Sequence, residues 1–472
     1  MRSRRAFLKQ TLGAAVLMST AAACGTGARR SALSGGGASQ ASGAATSATA
    51  VTQVFGDGLK LTCVAVEYDK DIESSTLSPT SFTVAGRTVT KVYANTSPEP
   101  ADQGRNGSYV ILELSLDDAD ALLTVQGDTG GQKAPSSGAE PTSPPSDSGP
   151  AAPVGMNQIG PASGASGYAT KQATASVTQA VTVTAVDGTN YAPTGTAIPT
   201  TRTSNLIVDD FKQFTYKEPQ TGETLNYNLY IPKDYDKSKQ YPLVLFMHDS
   251  GVTSTTTTAT LTQGLGAVSW ASPSDQAKRP AFVLAPQYPY TIVNDYSQAT
   301  DLLDTTVDLV NDLTTRYSID RNRLYTTGQS MGGMMSIAID IKYPDLFTAS
   351  FLVACQWDPA LVSPMASDKL WIVVSQGDSK AYPGQNAITA ALEKEGAKVS
   401  RAVWDGTSTA PQFHADVTTM ASQGAAINYA ALKQGTVVPP SQAGNPGGDH
   451  HNTWRIAYTI EGVREWIFRQ QG

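Results

Sequence analysis

The residues of this chain best suited to chemistry lie in Gly328-Gln329-Ser330-Met331-Gly332, the one Gly-x-Ser-x-Gly in 472 residues. A serine becomes a nucleophile when a turn lifts its hydroxyl clear of the backbone and a neighbouring base takes its proton. The flanks suit such a turn. Residues 323–327 carry β-branched and aromatic side chains and predict a strand. Residues 331–342 are rich in Met, Ala and Ile, hold no proline, and stop at Tyr343-Pro344, which predicts a helix. Strand, glycine turn and helix are the context of a nucleophile elbow. The free N–H groups and positive dipole end of that helix would face a developing oxyanion. The competing reading is an ordinary glycine-rich turn between a strand and a helix.

The base needs an acid to orient it, and behind an elbow of this kind the order along the chain is Ser, acid, His. In a parallel α/β sheet the reacting groups sit just past the carboxyl ends of strands. Asp378, in Gln376-Gly377-Asp378 after the apolar run 370–375, meets that condition. Asp405, past the run 398–404, is the runner-up, and a turn-capping role is the bland alternative for Asp378. Four histidines exist, His248, His414, His450 and His451, and the order leaves the last three. His414 has no strand in front of it. His450 and His451 share the loop Gly447-Gly448-Asp449-His450-His451-Asn452, and at this level both stay open. A second oxyanion donor belongs in the loop after the apolar run 241–247. The N–H of Ser250, with that of Asp249 as the alternative, would join the N–H of Met331. His248 opens that loop and is expected to be structural.

The elements that must hold these groups are legible from Leu206 onward. Residues 225–232, 241–247, 281–286, 349–355, 370–375 and 398–404 read as strands. Several are continuous apolar runs of the kind buried on both faces. Residues 301–317, 387–395 and 453–469 read as helices, so the sheet is expected to be mostly parallel. Between Trp404 and His451 lies a long polar stretch, read as a lid or a disordered excursion. Before residue 206 the texture is all-β. Short alternating runs at 60–67, 81–85, 88–93, 109–116 and 173–186, parted by turn residues, predict a sandwich over 51–200. It carries a Pro-, Ser- and Gly-rich insertion at about 130–167, read as disordered and dispensable. Residues 25–50, almost all small or polar, read as a disordered tether spanning roughly 25–30 Å. The catalytic domain is then 206–472. Cys63 and Cys355 fall in strands of different domains and read as buried free thiols. No Cys/His spacing suggests a metal, and no cofactor is expected. Because the candidate reacting groups all lie after residue 206, the sandwich is expected to stabilise or position the catalytic domain without donating to its reacting groups.

Residues 206–472 resemble the α/β-hydrolase esterases often labelled predicted peptidases, close to feruloyl-esterase-like and polyhydroxyalkanoate-depolymerase-like enzymes. The resemblance is carried by Phe246-Met247-His248, Ala285-Pro286-Gln287, the run 319–325, Gly328 to Gly333, Gly377-Asp378 and His451-Asn452-Thr453-Trp454. It implies an α/β-hydrolase domain, and because the histidine of that group precedes Asn-x-Trp, it implies His451 as the base. One departure is Asp249, where a glycine usually follows the oxyanion-loop histidine. The region before it is similar to the immunoglobulin-like domain that precedes some bacterial esterases, through the runs 64–69, 81–84 and 89–93. The implied protein is a serine carboxylesterase with Ser330, His451 and Asp378 as its triad, working through an acyl-enzyme. A serine peptidase on the same triad competes, as does a surface lipoprotein that only binds a ligand in a degenerate pocket. The complete Ser, acid, His order argues against the latter, and the lack of a propeller-like gating domain against the former.

Residues 3–9, with Arg4-Arg5 at their centre, resemble a twin-arginine export signal. The apolar stretch that follows, 11–23, is too short to span a bilayer. Ala21-Ala22-Ala23-Cys24 resembles a bacterial lipobox, with alanine where leucine is usual. These likenesses imply a signal over 1–24, a diacylated Cys24, and a protein held at the outer face of a bacterial cell membrane by its lipid anchor alone. A net charge of −7, with 16% charged residues and no basic stripe, speaks against a nucleic-acid partner. The expected partner is an ester substrate, with aromatic and polymeric esters among the classes implied. Neither its acyl and alcohol parts nor the oligomeric state is readable.

Overall fold

The computed structural model describes residues 45–125 and 156–472. Residues 1–24 read as a signal, Cys24 among them, most of the stretch read as a tether, and residues 130–155 of the stretch read as an insertion lie outside the described residues.

The N-terminal domain is built from β1 (Ser47–Phe55), β2 (Gly58–Ile72), β3 (Phe82–Val84), β4 (Val89–Asn95) and β5 (Gly107–Leu114). After them come β6 (Thr124–Val125), β7 (Ala169–Thr170), β8 (Ser176–Gln179), β9 (Val183–Thr184), β10 (Asn190–Tyr191), β11 (Ile198–Pro199) and β12 (Arg202–Asn205). One sheet runs β12-β1-β2-β5-β4 and a second runs β11-β8-β3, with β6–β7 and β9–β10 as short pairs. Alternation in β2 sends Val64, Val66 and Tyr68 into the inter-sheet core. Cys63 and Ala65 turn to the other face, where Val51, Tyr93 and Ile111 cover them. The tether is shorter than expected, because β1 begins at Ser47 and its Ala48 and Ala50 are fully buried. Composition alone reads such a stretch of small side chains as a linker.

The catalytic domain adds β13 (Lys212–Lys217), β14 (Thr224–Tyr230), β15 (Tyr241–Met247), β16 (Phe282–Gln287), β17 (Ile319–Gln329), β18 (Ala349–Val353), β19 (Leu370–Ser375), β20 (Val399–Trp404) and β21 (Ile427–Leu432). They form one sheet in the order β13-β14-β16-β15-β17-β18-β19-β21-β20, antiparallel at β13–β14–β16 and parallel beyond. The helices are α1 (Ala259–Thr262), α2 (Leu265–Ala271), α3 (Pro273–Lys278), α4 (Leu302–Arg316), α5 (Met331–Lys342), α6 (Ala381–Lys394), α7 (Ala410–Ala421), α8 (Gly448–Ala457) and α9 (Glu461–Arg469). Alternate residues of β15 feed the two faces of the sheet. Leu243, Leu245 and Met247 pack with α4 and α5, while Val244 and Phe246 pack with α2 and α9 in a cluster that continues into the sandwich core.

Two expectations about the C-terminal part are corrected. The stretch read as a lid or excursion holds α7 and β21, and β21 inserts between β19 and β20. Its sequence, Ile427-Asn-Tyr-Ala-Ala-Leu432, hides a central strand behind small residues and a buried Asn428. The single last helix is two, α8 and α9, parted at Tyr458–Ile460, so both neighbouring histidines lie inside the first turn of α8 rather than in a loop. Cys63 and Cys355 are buried free thiols, and burial pushes both up to about 12.

Candidate active site

β17 ends at Gln329, α5 begins at Met331, and Ser330 between them has φ 50° and ψ −121°. Such a backbone costs an L-residue about 1–3 kcal/mol, and the surrounding structure must hold it. The Ser330 N–H donates to the Val353 carbonyl at 3.0 Å. The following helix is pressed against β15 so closely that a Cβ on Gly332 would lie 1.9 Å from the Met247 carbonyl oxygen. Only glycine permits that approach, and the approach holds the serine proud of the sheet.

Asp378 follows β19 at the N-terminus of α6. Its Oδ1 accepts the N–H groups of Lys380 (3.0 Å) and Ala381 (2.9 Å). Its Oδ2 accepts His450 Nδ1–H at 2.5 Å. A carboxylate can only accept, so Nδ1 carries the ring proton and Nε2 is free to accept Ser330 Oγ–H, at 2.9 Å. Burial pushes the Asp378 carboxyl up, but the His450 hydrogen bond and charge, with the two backbone donors, hold it below the ordinary carboxylate range. The result is a single hydrogen-bonded line from Asp378 through His450 to Ser330.

The expectation for His451 is corrected. Successive residues of an α-helix point about 100° apart, so only one of two adjacent histidines can face Asp378 and Ser330. That one is His450. His451 packs its ring edge-on against His450 and Trp454, at centroid distances of 5.6 and 5.4 Å. Burial, then the neighbouring His450, holds it below the ordinary imidazole range. The Asn-x-Trp that follows His451 serves the helix: Asn452 Nδ2–H donates to Gln442 Oε1 (2.9 Å) and to the Gly448 carbonyl (2.9 Å). The other candidates fall away. Asp405 is exposed and its Oδ1 caps the Thr407 N–H at 2.8 Å, and His414 lies on the exposed face of α7.

The loop after β15 is organised by its first two residues. His248 Nδ1–H donates to the Asp249 carbonyl (2.7 Å), and its Nε2 accepts the Tyr288 N–H (2.9 Å). Burial holds His248 below the ordinary imidazole range, so it is a neutral tie between two loops. Asp249, the departure from glycine, accepts the Gly251 N–H at 2.9 Å through Oδ1 and Gln329 Nε2–H at 3.1 Å through Oδ2. The elbow residue next to Ser330 thereby grips the loop that carries Ser250. Met331 and Ser250 each open a helical turn, so neither N–H has an intrahelical acceptor.

Three contributors escaped the sequence reading. Gln329 is one. Asp449 is the second: its Oδ1 accepts Ser375 Oγ–H at 2.7 Å, which ties the first turn of α8 to the end of β19. A Cβ on Gly377 would meet that carboxylate at 2.3 Å. Gly377 beside Asp378, and Asp449 beside His450, were the available signal. The third is a wall. Ser330 and His450 open on a cavity of about 780 Å³ lined also by Asp249, Ser250 and Trp454, and by residues of 156–166. That segment was expected to be disordered. Its own apolar content is low, but it is held by backbone hydrogen bonds to neighbouring loops. At another part of the lining, Lys380 is ion-paired with Asp295, which also accepts Gln356 Nε2–H at 2.8 Å.

A mostly parallel sheet with a strained serine turn at its carboxyl edge defines an α/β-hydrolase domain, here preceded by an all-β immunoglobulin-like domain. The chain belongs to the esterase family: the model described as "Putative esterase" matches residues 219–455, and that of the esterase Ig-like N-terminal domain matches residues 47–192. It is similar to the crystal structure of a thermostable esterase at 27% identity and a TM-score of 0.70, over 90% of this chain and 100% of that one. A ferulic acid esterase from the anaerobic fungus Anaeromyces mucronatus shares 15% identity, with a TM-score of 0.36 over 54% of this chain and 91% of that one. The feruloyl esterase module from Clostridium thermocellum, complexed with sinapinate, shares 14%, with a TM-score of 0.37 over 55% and 88%. No curated protein sequence matches the chain. The protein is an esterase-type hydrolase.

Proposed function

We propose that this protein is a serine carboxylesterase in which Ser330, His450 and Asp378 act as the catalytic triad. The observation that carries the reading is the continuous hydrogen-bonded line Asp378–His450–Ser330 opening on the cavity. Ser330 Oγ attacks the ester carbonyl while its proton passes to His450 Nε2. The tetrahedral oxyanion accepts from the N–H groups of Met331 and Ser250, each such donor being worth about 3 kcal/mol in the transition state. The C–O bond to the alcohol breaks, His450 returns the proton to the leaving alkoxide, and an acyl-Ser330 ester is left. Water, deprotonated by His450, then hydrolyses that ester and restores the serine. Asp378 keeps the imidazole in the tautomer with Nδ1–H throughout. We further propose, from the residues around Arg4-Arg5 and from Cys24, that the protein is exported and lipid-anchored.

The test is a nitrophenyl ester assay with rapid mixing. A burst of nitrophenol stoichiometric with enzyme, and an acyl adduct on the peptide holding Ser330, are expected. Turnover without any adduct, undiminished in Ser330→Ala, would overturn the reading. For the anchor, membrane extraction and mass analysis of the mature N-terminus in a bacterial host should find a lipid on Cys24, and an unmodified thiol there would remove it.

A further inference from the structure

Residues 156–166 lie within the N-terminal domain's family match yet leave the sandwich to run along the catalytic domain. They are fastened to two of its loops. On the loop following β16, the Met156 carbonyl accepts the Asp295 N–H (3.0 Å) and the Gly160 N–H donates to the Thr291 carbonyl (2.9 Å). Ser163 Oγ closes that contact from both sides, accepting the Thr291 N–H (3.0 Å) and donating to the Gly160 carbonyl (2.8 Å). On the loop that carries Ser250, the Ser166 N–H donates to the Thr253 carbonyl (3.0 Å). Just beyond, Tyr168 is buried against Val252 and Ala259, and its hydroxyl bonds with Thr262 Oγ1 at 2.8 Å. Four bonds to the two loops and a buried aromatic fix the segment at both ends, so it is a built part of the cavity.

What it presents is specific. Met156, Asn157, Gln158, Ser163 and Ala165 line the cavity, and the segment carries no charged or titratable side chain there. It can move no proton and hold no oxyanion charge by a cation. Its possible contributions are shape and neutral hydrogen bonding. Asn157, Gln158 and Ala165 are exposed, so bulk added or amides removed there alter the cavity without disturbing a packed core. A cavity of about 780 Å³ is also far larger than a small acyl group needs, since pockets of about 300–1,000 Å³ hold drug-sized ligands.

We propose that residues 156–166 are the specificity wall of this esterase: they limit the size of the group attached to the ester carbonyl and favour groups that hydrogen-bond to neutral amides. This rests on the Ser330 reading above. The N-terminal domain would then select substrate, a role beyond packing.

The experiment uses the full chain and its variants Ala165→Trp and Gln158→Leu. Each is assayed on nitrophenyl acetate, benzoate and a hydroxylated aromatic ester, and each is labelled with a small alkyl fluorophosphonate whose attachment site is read by mass spectrometry. Ala165→Trp is expected to lower the benzoate-to-acetate ratio of kcat/KM at least tenfold. Gln158→Leu is expected to lower the ratio of hydroxylated to plain aromatic ester at least threefold, mainly through KM. Ratios within twofold of wild type in both variants, with Ser330 labelled normally, would overturn the wall while leaving the triad standing. Absence of the label on Ser330 in the wild-type protein would overturn the triad and the wall with it. Ser163→Ala, which removes two of these bonds and loosens the segment without touching the triad, should show a smaller loss of discrimination in the same direction, and Ser163→Thr should keep the wild-type ratios.

Discussion

The elbow around Ser330 and the first turn of α8 each bring one side chain of the proposed triad to the same point, and they are held there by different means. The elbow is held by backbone. Ser330 takes a positive φ, Gly332 lets α5 press on β15, and both facts sit within a few residues. The α8 helix is held by side chains, and two of their partners, Ser375 and Asp275, come from far along the chain. Asp449 is bonded to Ser375, Asn452 to Gln442, and Arg464 donates to the Tyr458 carbonyl (2.6 Å) while pairing with the buried Asp275. A backbone-built site tolerates few substitutions and is visible as a motif. A side-chain-built site tolerates gradual loosening and is spread over the sequence.

The comparison can be broken first at the reacting groups. If Ser330 and His450 form the proposed triad with Asp378, Ser330→Ala and His450→Ala should each reduce kcat by about 10⁴–10⁶-fold, because members of a triad act as a unit. His451→Ala should stay within about tenfold of wild type. An ester assay on the three purified proteins checks this, and equal losses at His450 and His451 would show that the ring facing Ser330 is not held as described. Next is the elbow's backbone. Gly332→Ala forces a methyl group into a carbonyl oxygen and should destabilise the fold by about 3 kcal/mol or more, read by urea unfolding. On the side-chain-built partner the effect should be catalytic and graded. Asp449→Ala, and Gly377→Ala which displaces the same carboxylate, should leave the fold intact and lower kcat by about 10–100-fold through misplacement of His450. KM should move less than kcat, and a loss of stability comparable to that of Gly332→Ala would show that the two regions are built alike.

The smallest expected effect concerns pH. Asp340, in the last turn of α5, is driven well above the ordinary carboxylate range by burial, then by Asp368. Burial and Asp345 push Asp368 up to about 6. A carboxyl raised in the folded state binds its proton more tightly folded than unfolded, so its stabilisation is complete at low pH and is lost as pH rises. For Asp368 that loss runs from about 4 to about 6. Chemical unfolding across this window should find a stability component that declines with rising pH, removed in Asp368→Asn. Activity lost on acidification then cannot be assigned to unfolding at this end of the elbow helix.

The same contrast explains what could be read beforehand. The elbow and Asp378 are local patterns beside apolar strands, and they were legible to the residue. The local run leaves His450 and His451 open, because the choice depends on where α8 begins, and the Asn-x-Trp likeness that implies His451 marks residues that serve the helix. β21 was missed because a central strand with Asn428 and paired alanines looks polar, and Ala48 and Ala50 because small buried residues look like a linker. Residues 156–166 were misread for a related reason. Their order comes from carbonyls and N–H groups of other loops, and side-chain composition carries no record of such partners.

β12 pairs with β1 along the edge of the larger N-terminal sheet. The two strands run parallel, Thr49 beside Arg202 and Thr52 beside Asn205, and β1 is bonded on its other side to β2. A tension applied at the amino end of β1 and resisted by the catalytic domain beyond Asn205 would drag these neighbours past each other lengthwise. Their hydrogen bonds lie across that pull and share the load, whereas a hairpin opened from one end yields bond by bond. The N-terminal domain is thus arranged as a mechanical clasp, whose rupture force in a single-molecule pulling experiment should drop when Thr203→Pro removes a rung.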